Sequence, residues 1–354
     1  LTLCDGTRTA AGLRATLAIR YGLFLTTERI VEFLDSLDEA LLLENQRSRS
    51  ARAVAQVEFR KAAFRPPSSA GQAYPSESKE LAETLDQYFE PPGESIEDNI
   101  CGLVSPHIDY ERGGPVYAKV WGTAAHAAQN ADLAIIFGTD HFSEGQSFSL
   151  TRQNYATPFG VLPTDTAIVD ELARAIGEET AFAGELHHRR EHSIELAAVW
   201  LHHIREGKPI PIVPILTGSL ETASDHGNGN SIESVLRVLG KAIRKRKTLV
   251  IAAGDLAHVG PAFEGEPVNP GKLIQLKSAD DELIAAMCRA DAEGFYNAIR
   301  RVQDANNVCG VAPIYLTLRL LSPKRGERRG YAVCPADEKK TSVVTICGIT
   351  FHNS

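Results

Sequence analysis

The sequence has no uninterrupted apolar run approaching the roughly 20 residues a membrane-spanning helix needs, so no such helix is expected. Its six cysteines (Cys4, Cys101, Cys288, Cys309, Cys334, Cys347) contain no Cys-x-x-Cys pair and no even spacing. That excludes a disulfide framework or a cysteine zinc site as the basis of the fold, and fits reduced thiols in a cytoplasmic protein. Positive charge is not in excess: 37 Lys and Arg face 45 Asp and Glu, for a net charge of −8. This balance argues against a general nucleic-acid or anionic-membrane surface. Neither G-x-S-x-G nor G-x-x-x-x-G-K-[ST] occurs, which removes the common serine-hydrolase and phosphate-loop readings. The first residues carry no signal- or transit-peptide pattern, and no internal repeat or long low-complexity tract interrupts the chain.

What is there suggests about two domains in 354 residues, with a 43% hydrophobic fraction sufficient for a full core. Residues 1–65 predict three helices, Thr9 to Tyr21, a second opening at Thr26 or Thr27, and Gln46 to Phe64. Leu41-Leu42-Leu43 reads as a short strand between the last two, giving a small winged-helix-like module. Acidic residues crowd its second helix, so a protein-contacting or packing role is expected rather than DNA binding. Arg65-Pro66-Pro67-Ser68-Ser69-Ala70-Gly71 reads as a linker. Ser76 or Ser78 then caps a helix stopped by Pro91-Pro92-Gly93. Residues 66–354 alternate apolar strands with amphipathic helices, the pattern of an α/β fold with a mainly parallel sheet flanked by helices. Phe148 to Leu150 and Gly160 to Leu162 suggest a hairpin, Gly218 to Asn230 a loop, and Tyr331 to Cys334 with Val343 to Phe351 a closing antiparallel pair.

Three of the predicted strands end on histidine. Leu103 to Pro106 leads to His107; Leu133 to Phe137, broken by Gly138, leads to His141; Leu249 to Gly254 leads to Asp255 and His258. Ligands of open α/β sheets sit at the carboxyl ends of strands, which makes these positions candidates for chemistry. Pro106 stiffens the approach to His107. Neighbouring side chains on extended backbone point apart, so the Asp140 carboxylate need not share the ligand direction of His141. Asp255 and His258 share a side if the backbone turns helically, where acid and imidazole suit metal ligation or proton transfer. Glu191 and Glu195 share a helix face, while His192 stands beside Glu195. Cys309 begins a predicted helix through Leu321, whose partial positive charge at that end would favour thiolate.

The ordered segments Phe64-Arg65-Pro66-Pro67, Ala70-Gly71-Gln72-Ala73-Tyr74-Pro75, Pro106-His107, Gly138-Thr139-Asp140-His141, Tyr155-Ala156-Thr157-Pro158, Glu191-His192-Ser193-Ile194-Glu195, Gly254-Asp255-Leu256-Ala257-His258-Val259-Gly260 and Cys309-Gly310 resemble the Memo family, which in prokaryotes is protein B of the AmmeMemoRadiSam system. The resemblance runs from about Arg65 to the C-terminus and implies a fold like that of class III extradiol dioxygenases. It implies metal ligation by His107, His141 and Cys309, with His258 as acid/base and Asp255, His192 and Glu191 lining the site. The chain departs from the family where Ile108 and Asp109 replace Ala-Gly, Phe142 replaces a second histidine, and Val311-Ala312 follow Cys309-Gly310 in place of Arg-His.

Two imidazoles and a thiolate favour a soft or borderline divalent transition metal, iron(II) first, with copper or zinc next. The leading expectation is a metal-dependent oxidoreductase-like enzyme acting on a small-molecule or peptide substrate, with other proteins of the AmmeMemoRadiSam system as partners. The rival is a non-catalytic peptide- or protein-binding module using the same cleft.

Overall fold

The structure, a computed structural model, describes residues 2–89, 99–220 and 229–353. The predicted helix stop at Pro91–Gly93 and most of the predicted 218–230 loop lie outside the described residues. The chain divides into two compact units, residues 1–61 and 62–354.

In the first unit, helices span Ala10–Tyr21, Thr27–Glu39 and Gln46–Lys61. Thr9 and Thr26 cap the first two, their hydroxyls accepting from the Gly12 and Arg29 amides. Gly22, at φ 64°, ends the first in the left-handed conformation that suits glycine. The expected strand at Leu41–Leu43 is not formed. Leu41 sits in a turn at φ 59°, and the described residues of this unit are helices and turns without a wing.

In the second unit, strands β1 (Ile100–Ser105), β2 (Leu133–Thr139), β6 (Ile212–Thr217) and β7 (Thr248–Ala253) run parallel in the order β6-β2-β7-β1. Antiparallel strands extend both sides: β3 (Phe148–Leu150) on β6, and β10 (Val343–His352) on β1. Strand β10 also pairs with β8 (His258–Val259) and β9 (Arg325–Pro335). The hairpin is therefore drawn differently from expectation. Gly160–Leu162 (β5) pairs with Tyr155–Thr157 (β4), while β3 joins the main sheet.

The apolar run of β2 explains its central place. Ile135 and Phe137 enter the core on one face, Ala134 and Ile136 the core on the other, and all four are fully buried. Gly138 does not break this strand. A Cβ there would lie 2.5 Å from Ser193 Oγ and 2.6 Å from Ile194 Cγ1, so the glycine admits the start of the helix Ser193–Ile204. Gly254 works in the same way, since its missing Cβ would lie 2.5 Å from Gly310 Cα. These two close approaches bring residues 192 and 309 to the carboxyl edge of the parallel strands.

A buried acid lies outside that edge. Asp280, on the helix Pro270–Cys288, accepts a hydrogen bond from Tyr331 (2.8 Å), and burial pushes its carboxyl up to about 6. The folded chain thus keeps a proton that the unfolded chain sheds near the ordinary value of 3.8. Stability falls as pH rises across that window, because the native state binds more protons than the unfolded one. Asp280→Asn is expected to remove this share of the slope, worth on the order of 2–3 kcal/mol. Urea denaturation midpoints of both proteins, measured near pH 4 and pH 7, check the sign and the size.

Candidate metal centre

His107 follows β1 and His141 follows β2, each two residues beyond the strand end. His192 occupies the cap position of the helix Ser193–Ile204. The three side chains each present a ligand nitrogen within 4.8 Å of the others. The His141 and His192 rings are stacked at 5.0 Å, and His107 meets both edge-on at 5.1 and 5.2 Å.

In each ring the Nδ1 side is already engaged. His107 Nδ1–H donates to Ala253 O at 3.1 Å, and its backbone N–H donates to Asp255 Oδ1 at 2.8 Å. The fully buried Glu191 serves the other two. Its carboxylate accepts from His141 Nδ1 (3.1 Å), from the His141 backbone N–H (3.0 Å) and from the Ser193 backbone N–H (2.9 Å). His192 Nδ1 lies 3.2 Å from Glu191 Oε1. On His107 and His141 this leaves Nε2 as the free ring nitrogen, the tautomer that a metal-binding imidazole needs.

The charges are consistent with that arrangement. Burial, reinforced by the neighbouring imidazoles, holds His107 well below the ordinary histidine value, so it stays neutral. Burial also works against charge on His141, but the hydrogen bond and the charge of Glu191 outweigh it and raise its pKa. Glu191 is correspondingly held well below the carboxylate range, despite its own burial, chiefly by the His141 hydrogen bond. Burial lowers His192.

The remaining expected residues lie around this cluster. Cys309 Sγ is 3.2 Å from His107 Nε2, and its loop is tied down by Thr139 Oγ1 donating to Cys309 O (2.9 Å) and Gly310 N–H donating to Asp255 O (2.9 Å). The expected thiolate is not favoured by the helix that follows. Burial, then the nearby Asp255 carboxyl, pushes the thiol well above its ordinary value, and the helix begins two residues later at Val311. A cation bound beside Cys309 would work in the opposite direction, toward thiolate. Asp255 Oδ2 lies 3.8 Å from His107 Nε2, and burial raises its carboxyl to about 7. His258 has its Nδ1–H on Leu256 O (3.2 Å), and burial lowers it to about 4. His107, His141, His192, Asp255 and His258 line one open cleft of about 950 Å³, with Ser68, Ser69, Gln72 and Arg190 on its walls and Phe142 and Phe263 among its apolar groups. Asp140 is engaged outside the imidazole cluster. It accepts from His187 Nδ1 (2.9 Å) and Ser149 Oγ (3.0 Å).

Two features are not apparent from the sequence. His192 stands in the imidazole cluster itself, because the turn before its helix directs the ring toward His141. The segment from Arg65 to Gly71 is not a free linker: the Arg65 side chain is fully buried and pairs with the equally buried Glu195. Glu195 also accepts from the Ser68 and Ser69 amides (2.9 and 2.8 Å) and from Tyr74 Oη (2.5 Å). Only Glu195, an acid in the first turn of an otherwise apolar helix, hinted at such a partner.

Fold and cluster together define an α/β protein with a histidine-rich, metal-capable site at the carboxyl edge of its parallel strands. The family described as "Memo-like protein" matches residues 65–349, and the chain belongs to this Memo family. A MEMO1 family protein of Aquifex aeolicus is 26% identical over 360 residues, covering 99% of this chain and 90% of the relative. One from Methanosarcina acetivorans is 30% identical over 265 residues, covering 75% and 89%. One from Archaeoglobus fulgidus is 27% identical over 291 residues, covering 82% of this chain and all of the relative.

Proposed function

We propose that this Memo-family chain binds a divalent transition metal and works as a non-haem, oxidoreductase-like enzyme. The observation that carries the reading is the convergence of His107, His141 and His192, the first two with Nδ1 hydrogen-bonded and the third with Nδ1 3.2 Å from the Glu191 carboxylate. The three imidazoles fit such an ion, their ligand nitrogens all within 4.8 Å of one another, whereas Cys309 Sγ stands 3.2 Å from His107 Nε2 but outside that group. His107, His141 and Cys309 would hold it, with His192 as a further nitrogen donor, and the soft sulfur favours iron(II), copper or zinc over magnesium or calcium. Bound iron(II) would supply a redox-active Lewis acid with positions open to substrate.

The protein's own groups supply the rest. His258 Nε2 faces the work of accepting or delivering a proton, since its Nδ1–H is committed to Leu256 O. The Asp255 carboxyl, raised to about 7 by burial, can hold a proton near neutral pH beside His107. Ser68, Ser69, Gln72 and Arg190 offer hydrogen bonds to a small-molecule or peptide substrate in the cleft. A cytoplasmic location suits the free cysteines, and other proteins of the AmmeMemoRadiSam system are the proposed partners. The class III extradiol dioxygenase relationship belongs to this same reading. One observation favours the rival, a binding cleft without turnover: Phe142, 48% exposed at the cleft, offers an apolar contact to a peptide.

Cobalt(II) substitution tests the donor set. The reading predicts a sulfur-to-cobalt charge-transfer band in wild type that disappears in Cys309→Ser, together with oxygen uptake that depends on His258. A cobalt spectrum unchanged by Cys309→Ser would remove the thiolate from the site. Peptide binding that survives loss of the metal, with no oxygen uptake, would favour the rival.

A further inference from the structure

Arg65 is remote in sequence from every imidazole of the cluster, yet its guanidinium holds the turn that delivers His192 and that carries Glu191, the carboxylate bonded to His141. Nε donates to His188 O at 2.6 Å and Nη2 donates to Glu191 O at 2.8 Å, so one planar group spans both ends of the turn before His192. Nη2 also donates to Ser68 Oγ at 2.9 Å, and Nη1 pairs with the Glu195 carboxylate. The backbone of Arg65 is fixed as well: its N–H donates to Asn154 O (2.8 Å) and its carbonyl accepts from Ala156 N–H (3.0 Å). Its Cζ lies 5.0 Å from the centroid of the Tyr155 ring, whose hydroxyl is 2.5 Å from His188 Nδ1. Every polar end of this buried side chain is therefore used, and two of its contacts fall on backbone carbonyls rather than on charges.

We propose that Arg65 is the positioning residue of the cluster. By fixing the Glu191 carbonyl it fixes the Glu191 carboxylate, which sets the ring orientation of His141 and the placement of His192. The proposal rests on the metal-binding reading for what the rings hold, but not for the geometry itself. The fork matters more than the charge. A lysine at position 65 keeps the pairing with Glu195 but has no planar array to span two carbonyls three residues apart. Glu195→Gln removes the charge of the partner while leaving both carbonyl contacts in place.

The test compares Arg65→Lys with Glu195→Gln, with Arg65→Met/Glu195→Met as a third variant that leaves no unpaired buried charge. Histidine-selective ¹⁵N NMR of the metal-free proteins reads the His141 ring, assigned through His141→Asn, and zinc titration reads affinity. Wild type and Glu195→Gln should show a slowly exchanging Nδ1–H on His141. The two Arg65 variants, folded by circular dichroism, should lose that signal and bind zinc about tenfold or more weakly. The proposal is overturned if a folded Arg65 variant keeps the signal with zinc affinity within about twofold of wild type, or if Glu195→Gln, folded by circular dichroism, loses the signal and the affinity as severely as Arg65→Lys. If wild type binds no zinc while the Arg65 variants still lose the ring signal, the metal reading falls and the positioning role stands.

Discussion

Glu191→Ala is expected to weaken metal binding by roughly 10–100-fold, the usual cost of removing a hydrogen-bond partner behind a ligating histidine. The size follows from how much one carboxylate does. It accepts three hydrogen bonds, from His141 Nδ1 and from the His141 and Ser193 amides, and it lies beside His192 Nδ1. Alanine removes the group that orients both stacked rings and leaves two backbone N–H groups without their acceptor. Each stranded donor adds about 1–3 kcal/mol of destabilisation where water cannot reach it. The pH dependence should move too. Burial lowers His141 and Glu191 raises it, the second effect winning in wild type. Protons therefore compete with metal at His141 first, as pH falls through a value above the ordinary 6.5, while His107 remains neutral. In Glu191→Ala burial acts alone, and the acid limb of metal binding should shift to lower pH. Calorimetric metal titrations across pH would show both effects, and an unshifted acid limb would mean that Glu191 does not govern His141.

Glu195→Ala should be costly for a different reason. It breaks a fully buried ion pair and leaves the Arg65 guanidinium without its counter-charge, a change of about 3–5 kcal/mol. The Ser68 and Ser69 amides and the Tyr74 hydroxyl lose their acceptor in the same step. Burial opposes charge on Glu195, but Arg65, then Tyr74, hold its pKa below the usual carboxylate value. Its contribution is therefore present above the unfolded pKa and is lost as pH falls through the lower folded one. Urea unfolding should place Glu195→Ala well below wild type at neutral pH, with the gap closing in acid. A loss under about 1 kcal/mol at neutral pH would show that the network is not a main tie of the segment to the sheet.

Much of this site could be read from the chain because it sits on local signals. The apolar runs before His107, His141 and Asp255 mark buried parallel strands, and the carboxyl ends of such strands point to one edge. Cys309 followed from the family motifs rather than from any strand. What stayed hidden depends on pairs far apart in sequence. Arg65 and Glu195 are 130 residues apart. A run of proline, serine and glycine has the same composition whether it floats or is buried beneath a guanidinium. The place of His192 in the cluster is hidden from the sequence because a helix-face argument applies only inside the helix, and the residue stands before its first turn. In sequence Gly138 looks like a strand breaker, since composition cannot show that its missing side chain makes room for a helix. The winged-helix expectation rested on three leucines that form a turn instead.

The most direct test is elemental analysis of the protein purified without an affinity tag and equilibrated with iron(II) under anaerobic conditions. The account predicts about one bound transition-metal ion per chain, lost in His107→Ala and in His141→Ala. Wild-type protein that stays metal-free after equilibration, or variants that retain the full complement, would contradict it.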